Sequence, residues 1–234
     1  MAARPLRILC LPGFRQTPQQ LQHALQRAGW DSALANAGAE LCFARAPPGA
    51  ASASAPPEWW NASDDGKVYA GWQQGLRSVR AALEANAPCD ALLGFSQGGT
   101  CAQLFTAIAE REGGLEAALG EAPAGGEQAQ IAPLRLIIGV GCGRSRADDH
   151  QAFLSSPLKT PALAVCASGD RIVKAASTQR WAACFRSADL LECDANTHRP
   201  PDITDGANLH LKEALELVVT EARASETHGR AARL

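Results

Sequence analysis

The chain has 234 residues, 46% of them hydrophobic and 20% charged, with a formal net charge of −2. That length buries one core well, and the balance is that of an ordinary globular protein rather than a disordered or fibrous one. There is no basic run to meet nucleic acid, and the longest apolar stretch is far too short to span a bilayer.

At the N-terminus, Arg4 and Arg7 precede the apolar residues 8–11, but Pro12-Gly13 ends the run before it reaches the length of a signal peptide's apolar region. Residues 6–11 therefore read as a first strand. Further strands are expected over 40–44, 91–95, 134–140, 162–167 and 190–193, and helices over 18–28, 68–85, 98–111, 177–185 and 208–223. Short apolar runs that alternate with longer amphipathic segments are the pattern of βα units, so the predicted fold is α/β, a mostly parallel sheet with helices on both faces. The run 134–140, Leu-Arg-Leu-Ile-Ile-Gly-Val, is apolar with one exception, as a strand covered on both faces must be. In the last helix Leu211, Leu215 and Val218 recur at helical spacing.

Two segments break the plan. Residues 46–66 hold four prolines and the pair Trp59-Trp60, and they follow the second strand, which places them as a long functional loop at the carboxyl edge of the sheet. Residues 112–130, rich in Gly, Ala and Glu, read as a surface excursion. A single domain is expected over 1–223, with 224–234 as a flexible tail that has little to pack. The eight cysteines stand singly, without Cys-x-x-Cys, and Cys10, Cys42 and Cys166 lie in strand-like runs. That usage suits a reducing compartment, so a cytoplasmic or nuclear location is expected, and the sequon at Asn61 would then have no meaning.

The chemistry concentrates at Gly94-Phe95-Ser96-Gln97-Gly98, which lies between a strand and a helix. An alcohol is a weak nucleophile at neutral pH and must be presented to a base and an oxyanion site. A sharp strand-to-helix turn does this, glycines on either side relieve its crowding, and the helix N-terminus adds N–H groups. In this chain order an acid and then a histidine should follow the serine. His23 precedes the serine, His150 precedes the best acid, His210 sits in the last helix and His228 in the tail. His198, in a loop after the strand 190–193, is the expected base. Asp170, in the turn after the strand 162–167, is the expected acid, with Asp148 and Asp149 in reserve. The turn Pro12-Gly13-Phe14 suggests an oxyanion hole built from the backbone N–H groups of Phe14 and Gln97. Trp59 and Trp60 are candidates for the wall of an acyl pocket, or else struts that pack the loop onto the segment with Tyr69 and Trp72.

These residues resemble the FSH family of serine hydrolases. The likeness rests on Cys10-Leu-Pro-Gly-Phe-Arg-Gln16, on Trp59-Trp-Asn-Ala-Ser-Asp-Asp-Gly-Lys67 with Tyr69 and Trp72, on Leu93-Gly-Phe-Ser-Gln-Gly98, on the turn at Asp170 and on His198. It spans about residues 6–219. Acyl-protein thioesterases are similar around residues 95–99 but have no counterpart to the Trp pair. The resemblance implies an α/β-hydrolase fold and a serine esterase or thioesterase that acts on small-molecule acyl esters without cofactor or metal. The chain departs from the family at Asn196-Thr197, where Gly-Gly is usual, and at Ala167, where glycine is usual.

Other readings are weaker. Gly139-Val-Gly-Cys-Gly143 follows an apolar strand, but Arg144 stands where a dinucleotide fingerprint needs its last glycine. No His/Asp cluster shows metal-ligand spacing. A hydrolase fold that serves only as a binding scaffold is not excluded by the fold itself.

Overall fold

The computed structural model describes residues 4–49, 52, 54–111, 114–120, 132–204 and 206–231. The chain runs β1 (Leu6–Leu11), α1 (Pro18–Arg27), α2 (Trp30–Asn36), β2 (Ala39–Phe43), a small antiparallel pair β3 (Asn61–Ala62) and β4 (Tyr69–Ala70), then α3 (Trp72–Ala85). It continues β5 (Ala91–Phe95), α4 (Gln97–Ala109), α5 (Gly114–Leu119), β6 (Leu136–Val140), α6 (Asp148–Gln151), β7 (Ala162–Ala167), α7 (Ala175–Ala182), β8 (Ala188–Cys193) and α8 (Leu209–Ala231). Among the described residues six strands form the central sheet in the order β2-β1-β5-β6-β7-β8, each neighbour parallel.

Alternation along β1 shows why these strands are apolar throughout. Ile8 and Cys10 face a core with Leu21, Leu25, Trp30 and Leu211 from α1, α2 and α8, whereas Leu9 and Leu11 face a core with Leu76, Leu104 and Trp181 from α3, α4 and α7. Both faces are covered, so neither side of a central strand tolerates a polar residue. The chain steps from β1 outward to β2 and returns to β5 on the other side of β1. The crevice at the carboxyl ends of β1 and β5 is thus the topological switch point, where open α/β sheets bind ligands.

Several elements differ from expectation. The helix expected over 68–85 begins only at Trp72, because Tyr69 and Ala70 pair with Ala62 and Asn61 and Gly71 turns the chain at φ 85°. A helix that the periodicity did not mark, α2, follows Gly29 and buries Trp30 and Leu34. The edge strand β8 starts at Ala188 and contains Asp189, since an edge strand can keep half of its side chains in water. The last helix continues to Ala231, beyond the expected end at 223. The excursion expected at 112–130 contains α5 and otherwise falls largely outside the described residues.

Candidate active site

Ser96 sits between β5 and α4 with φ 52° and ψ −120°, a conformation that a non-glycine residue adopts at a cost of about 1–3 kcal/mol. The surroundings hold it there. Its N–H donates to the Val140 carbonyl at 2.9 Å, and its own carbonyl accepts from Gly99 N–H at 3.0 Å. The turn is sharp enough that a Cβ at Gly94 would lie 2.4 Å from the Gly98 carbonyl oxygen, and a Cβ at Gly98 would lie 2.1 Å from that of Leu11. Only glycine fits at either position, and the approach sets the N-terminus of α4 against the end of β1.

The structure brings together the three residues expected from the sequence. The imidazole Nε2 of His198 lies 2.8 Å from Ser96 Oγ, and its Nδ1 lies 2.6 Å from Asp170 Oδ2. The other carboxylate oxygen of Asp170 accepts the N–H groups of Ile172 at 2.7 Å and Val173 at 3.0 Å. Burial pushes the Asp170 carboxyl up, but the bonds from His198, Val173 and Ile172 outweigh it and hold the group below the usual carboxylate range. Asp170 is therefore charged and can accept a hydrogen bond from His198 Nδ1, which leaves Nε2 facing Ser96 Oγ. The His198 loop is fixed at both ends, by Gly169 N–H on the Ala195 carbonyl at 2.8 Å and by the buried Trp30 indole N–H on the Pro201 carbonyl at 2.8 Å. The loop therefore holds its histidine with Asn196-Thr197 in place of two glycines.

The reserve acids lie elsewhere: Asp148 pairs with Lys67 at 3.1 Å on the surface. A second serine–histidine contact also exists, Ser145 Oγ to His150 Nδ1 at 2.8 Å. Both side chains are buried, and Trp60, Tyr69 and Trp72 surround the imidazole. Burial lowers the His150 pKa from 6.5 to about 4, against a smaller opposing effect of Asp149. The pair reads as core structure, with a pH consequence. Between these two values the unfolded chain binds more protons at this site than the folded chain, so stability should fall as pH drops through the window. His150→Asn, which keeps a partner for Ser145 without titrating, should flatten that part of a melting-temperature profile; an unchanged slope would count against the assignment.

A cavity of about 830 Å³ opens on Ser96 and His198, with apolar walls from Phe14, Phe95, Ile172 and Pro200. Neither Trp59 nor Trp60 lines it, which corrects the expectation that one of them forms an acyl wall. Trp59 is fully buried, and its indole N–H donates to the Pro12 carbonyl at 2.7 Å. Trp60 stacks on Tyr69 with ring centroids 4.9 Å apart. The side chain of Gln97 explains why the loop folds inward. Its carbonyl oxygen accepts from Trp59 N–H at 3.0 Å, and its amide donates to the Trp60 carbonyl at 2.9 Å. The sequence marks Gln97 for its backbone N–H alone, and the clamp made by its side chain has no sequence signal. Trp59→Ala should cost about 3–5 kcal/mol of stability and reduce turnover equally for short and long esters. A loss confined to long chains, with stability kept, would restore the pocket role.

Among the described residues no group of three or more His, Cys, Asp or Glu side chains is placed to hold a metal ion. Among them, too, no helix is long and apolar enough to cross a membrane.

A family model described as serine hydrolase (FSH1) matches residues 1–202. Human esterase OVCA2 is 28% identical over 214 residues, covering 81% of this chain and 87% of that protein. Esterase CG5412 of Drosophila melanogaster is 28% identical over 210 residues, covering 83% and 68%. Of solved structures, esterase PE8 aligns with a TM-score of 0.61 at 17% identity over 92% of this chain and 94% of that one. Acyl-protein thioesterase 2 of Zea mays aligns at 0.57 and 14% identity over 93% and 95%. These structural likenesses show the fold, that of the α/β-hydrolases.

Proposed function

The chain belongs to the serine hydrolase (FSH1) family, and from that premise we propose that it cleaves acyl esters or thioesters through Ser96, His198 and Asp170. The observation that carries this reading is the unbroken chain of contacts, 2.8 Å and 2.6 Å, that ends on a strained serine open to a cavity.

Ser96 Oγ attacks the substrate carbonyl while His198 Nε2 takes its proton, and Asp170 stabilises the imidazolium. The tetrahedral oxyanion is met by the backbone N–H groups of Phe14 and Gln97. This assignment is supported by how closely the β1 turn approaches the serine, since a Cβ at Gly13 would lie 3.3 Å from Ser96 Cβ. Collapse of the intermediate expels the alcohol or thiol, which leaves with the proton from His198. Water, deprotonated by His198, then releases the acid from the acyl-enzyme. These steps use only the chain's own groups and water. A reducing cytoplasmic or nuclear setting fits eight cysteines that are all unpaired.

A panel of esters and matched thioesters of graded acyl length tests the proposal. Saturable hydrolysis that strengthens as the chain covers more of the apolar wall is expected, and it should survive excess chelator. No hydrolysis of any member by the folded protein would contradict it.

A further inference from the structure

The cavity over Ser96 has an uneven charge. Arg15, His23, Arg27 and Arg199 line it together with the apolar Phe14 and Ile172, and among the described residues no Asp or Glu does. Arg15 is partly occupied, 3.8 Å from Glu58 and stacked over Phe14 at 4.7 Å. Among the described residues the Arg27 and Arg199 side chains have no ion-pair or hydrogen-bond partner. Asp202, the acid nearest Arg199 in the chain, and Asp170, which contacts the adjacent His198, are engaged elsewhere. Asp202 accepts from the Thr204 N–H at 2.8 Å and hydroxyl at 2.6 Å, and Asp170 is held by His198 and two N–H groups. A place in the last turn of α1, against the helix dipole, accounts for Arg27 but not for Arg199, which follows His198 in the loop.

Two guanidiniums on a cavity with an apolar wall, without an acidic partner among the described residues, select a ligand that is apolar along part of its length and anionic at one point. We propose that the substrate carries a carboxylate or phosphate, and that Arg27 and Arg199 hold it while the acyl carbon sits at Ser96. This inference rests on the reading of Ser96 as the nucleophile. The anion can belong to the acyl chain, as in a dicarboxylic acid monoester, or to the leaving group, as in a coenzyme A thioester.

Two matched pairs separate these sources: the 4-nitrophenyl monoester of octanedioic acid against 4-nitrophenyl octanoate, and octanoyl-coenzyme A against octanoyl-N-acetylcysteamine. The anionic member of one pair should have a kcat/KM about tenfold higher, from two partly solvated charge contacts. The ratio should fall towards one in Arg27→Gln/Arg199→Gln and in about 0.5 M salt, where exposed charges are screened. Lys212→Gln, in α8, should leave it unmoved. Binding of octanedioic acid monoamide against octanamide reads the same site without turnover, so the anion site is tested even if the hydrolytic reading fails. Loss of hydrolysis in Ser96→Ala tests that reading separately. Ratios near one for both pairs with equal binding of the two amides, or a preference that survives the double variant, would overturn the proposal.

Discussion

Ser96→Ala should lower kcat on an activated ester by about 10⁴–10⁶ with the fold intact. The size follows from the mechanism: without Oγ there is no acyl-enzyme, and only binding and the oxyanion donors remain to act on the substrate. Stability should hold or rise slightly. Ser96 is kept at φ 52° by its backbone bonds to Val140 and Gly99, which alanine retains, while the hydroxyl bonds to His198. The measurement is kcat on a 4-nitrophenyl ester together with a melting curve. Full activity in a well-folded variant would remove Ser96 from the mechanism.

His198→Ala should lose activity on nearly the same scale, because base and nucleophile act as one unit and their losses do not add. Asp170→Asn should reduce kcat by about 10⁴, since the amide can present its N–H to His198 and favour the wrong tautomer. His210→Ala, exposed in α8, should be close to neutral, as should Asp148→Asn. In the wild type kcat/KM should climb with pH on one limb, as general-base catalysis by a single group requires. The lowered pKa of Asp170 sets the sign of a further loss on the acid side. Its contribution is present above the usual carboxylate range and disappears only as pH falls through the lowered value. If His198→Ala and His210→Ala exchanged phenotypes, the loop would not be the source of the base.

The hydrogen-bonded site was legible in the sequence because its demands are local. Ser96 needs a strand, a glycine-flanked turn and a helix in succession, and each leaves its own composition in a few adjacent residues. His198 and Asp170 could be chosen because a loop after a strand and a position inside a helix have different periodicities. The Trp pair was not legible, since an indole that walls a pocket and one that braces a loop have the same composition and the same neighbours. What decides between them is the clamp from Gln97 and the acceptor at Pro12, both distant in the chain. The small pairing of Asn61–Ala62 with Tyr69–Ala70 was hidden for a similar reason, being too short to show alternation. The helix α2 was obscured by its nearness to α1, from which Gly29 separates it. The arginines of the cavity gave no signal, because Arg27 on α1 reads as part of a solvated face until the fold sets it on the same cavity as Arg199.

Mass spectrometry of the protein after reaction with a fluorophosphonate tests the central claim most directly, because the probe bonds covalently to an activated serine and needs no knowledge of the substrate. One adduct per chain is expected, on the peptide that contains Ser96. It should be absent from Ser96→Ala and strongly slowed in His198→Ala. An unmodified protein, or an adduct on Ser145 with Ser96 untouched, would contradict the account.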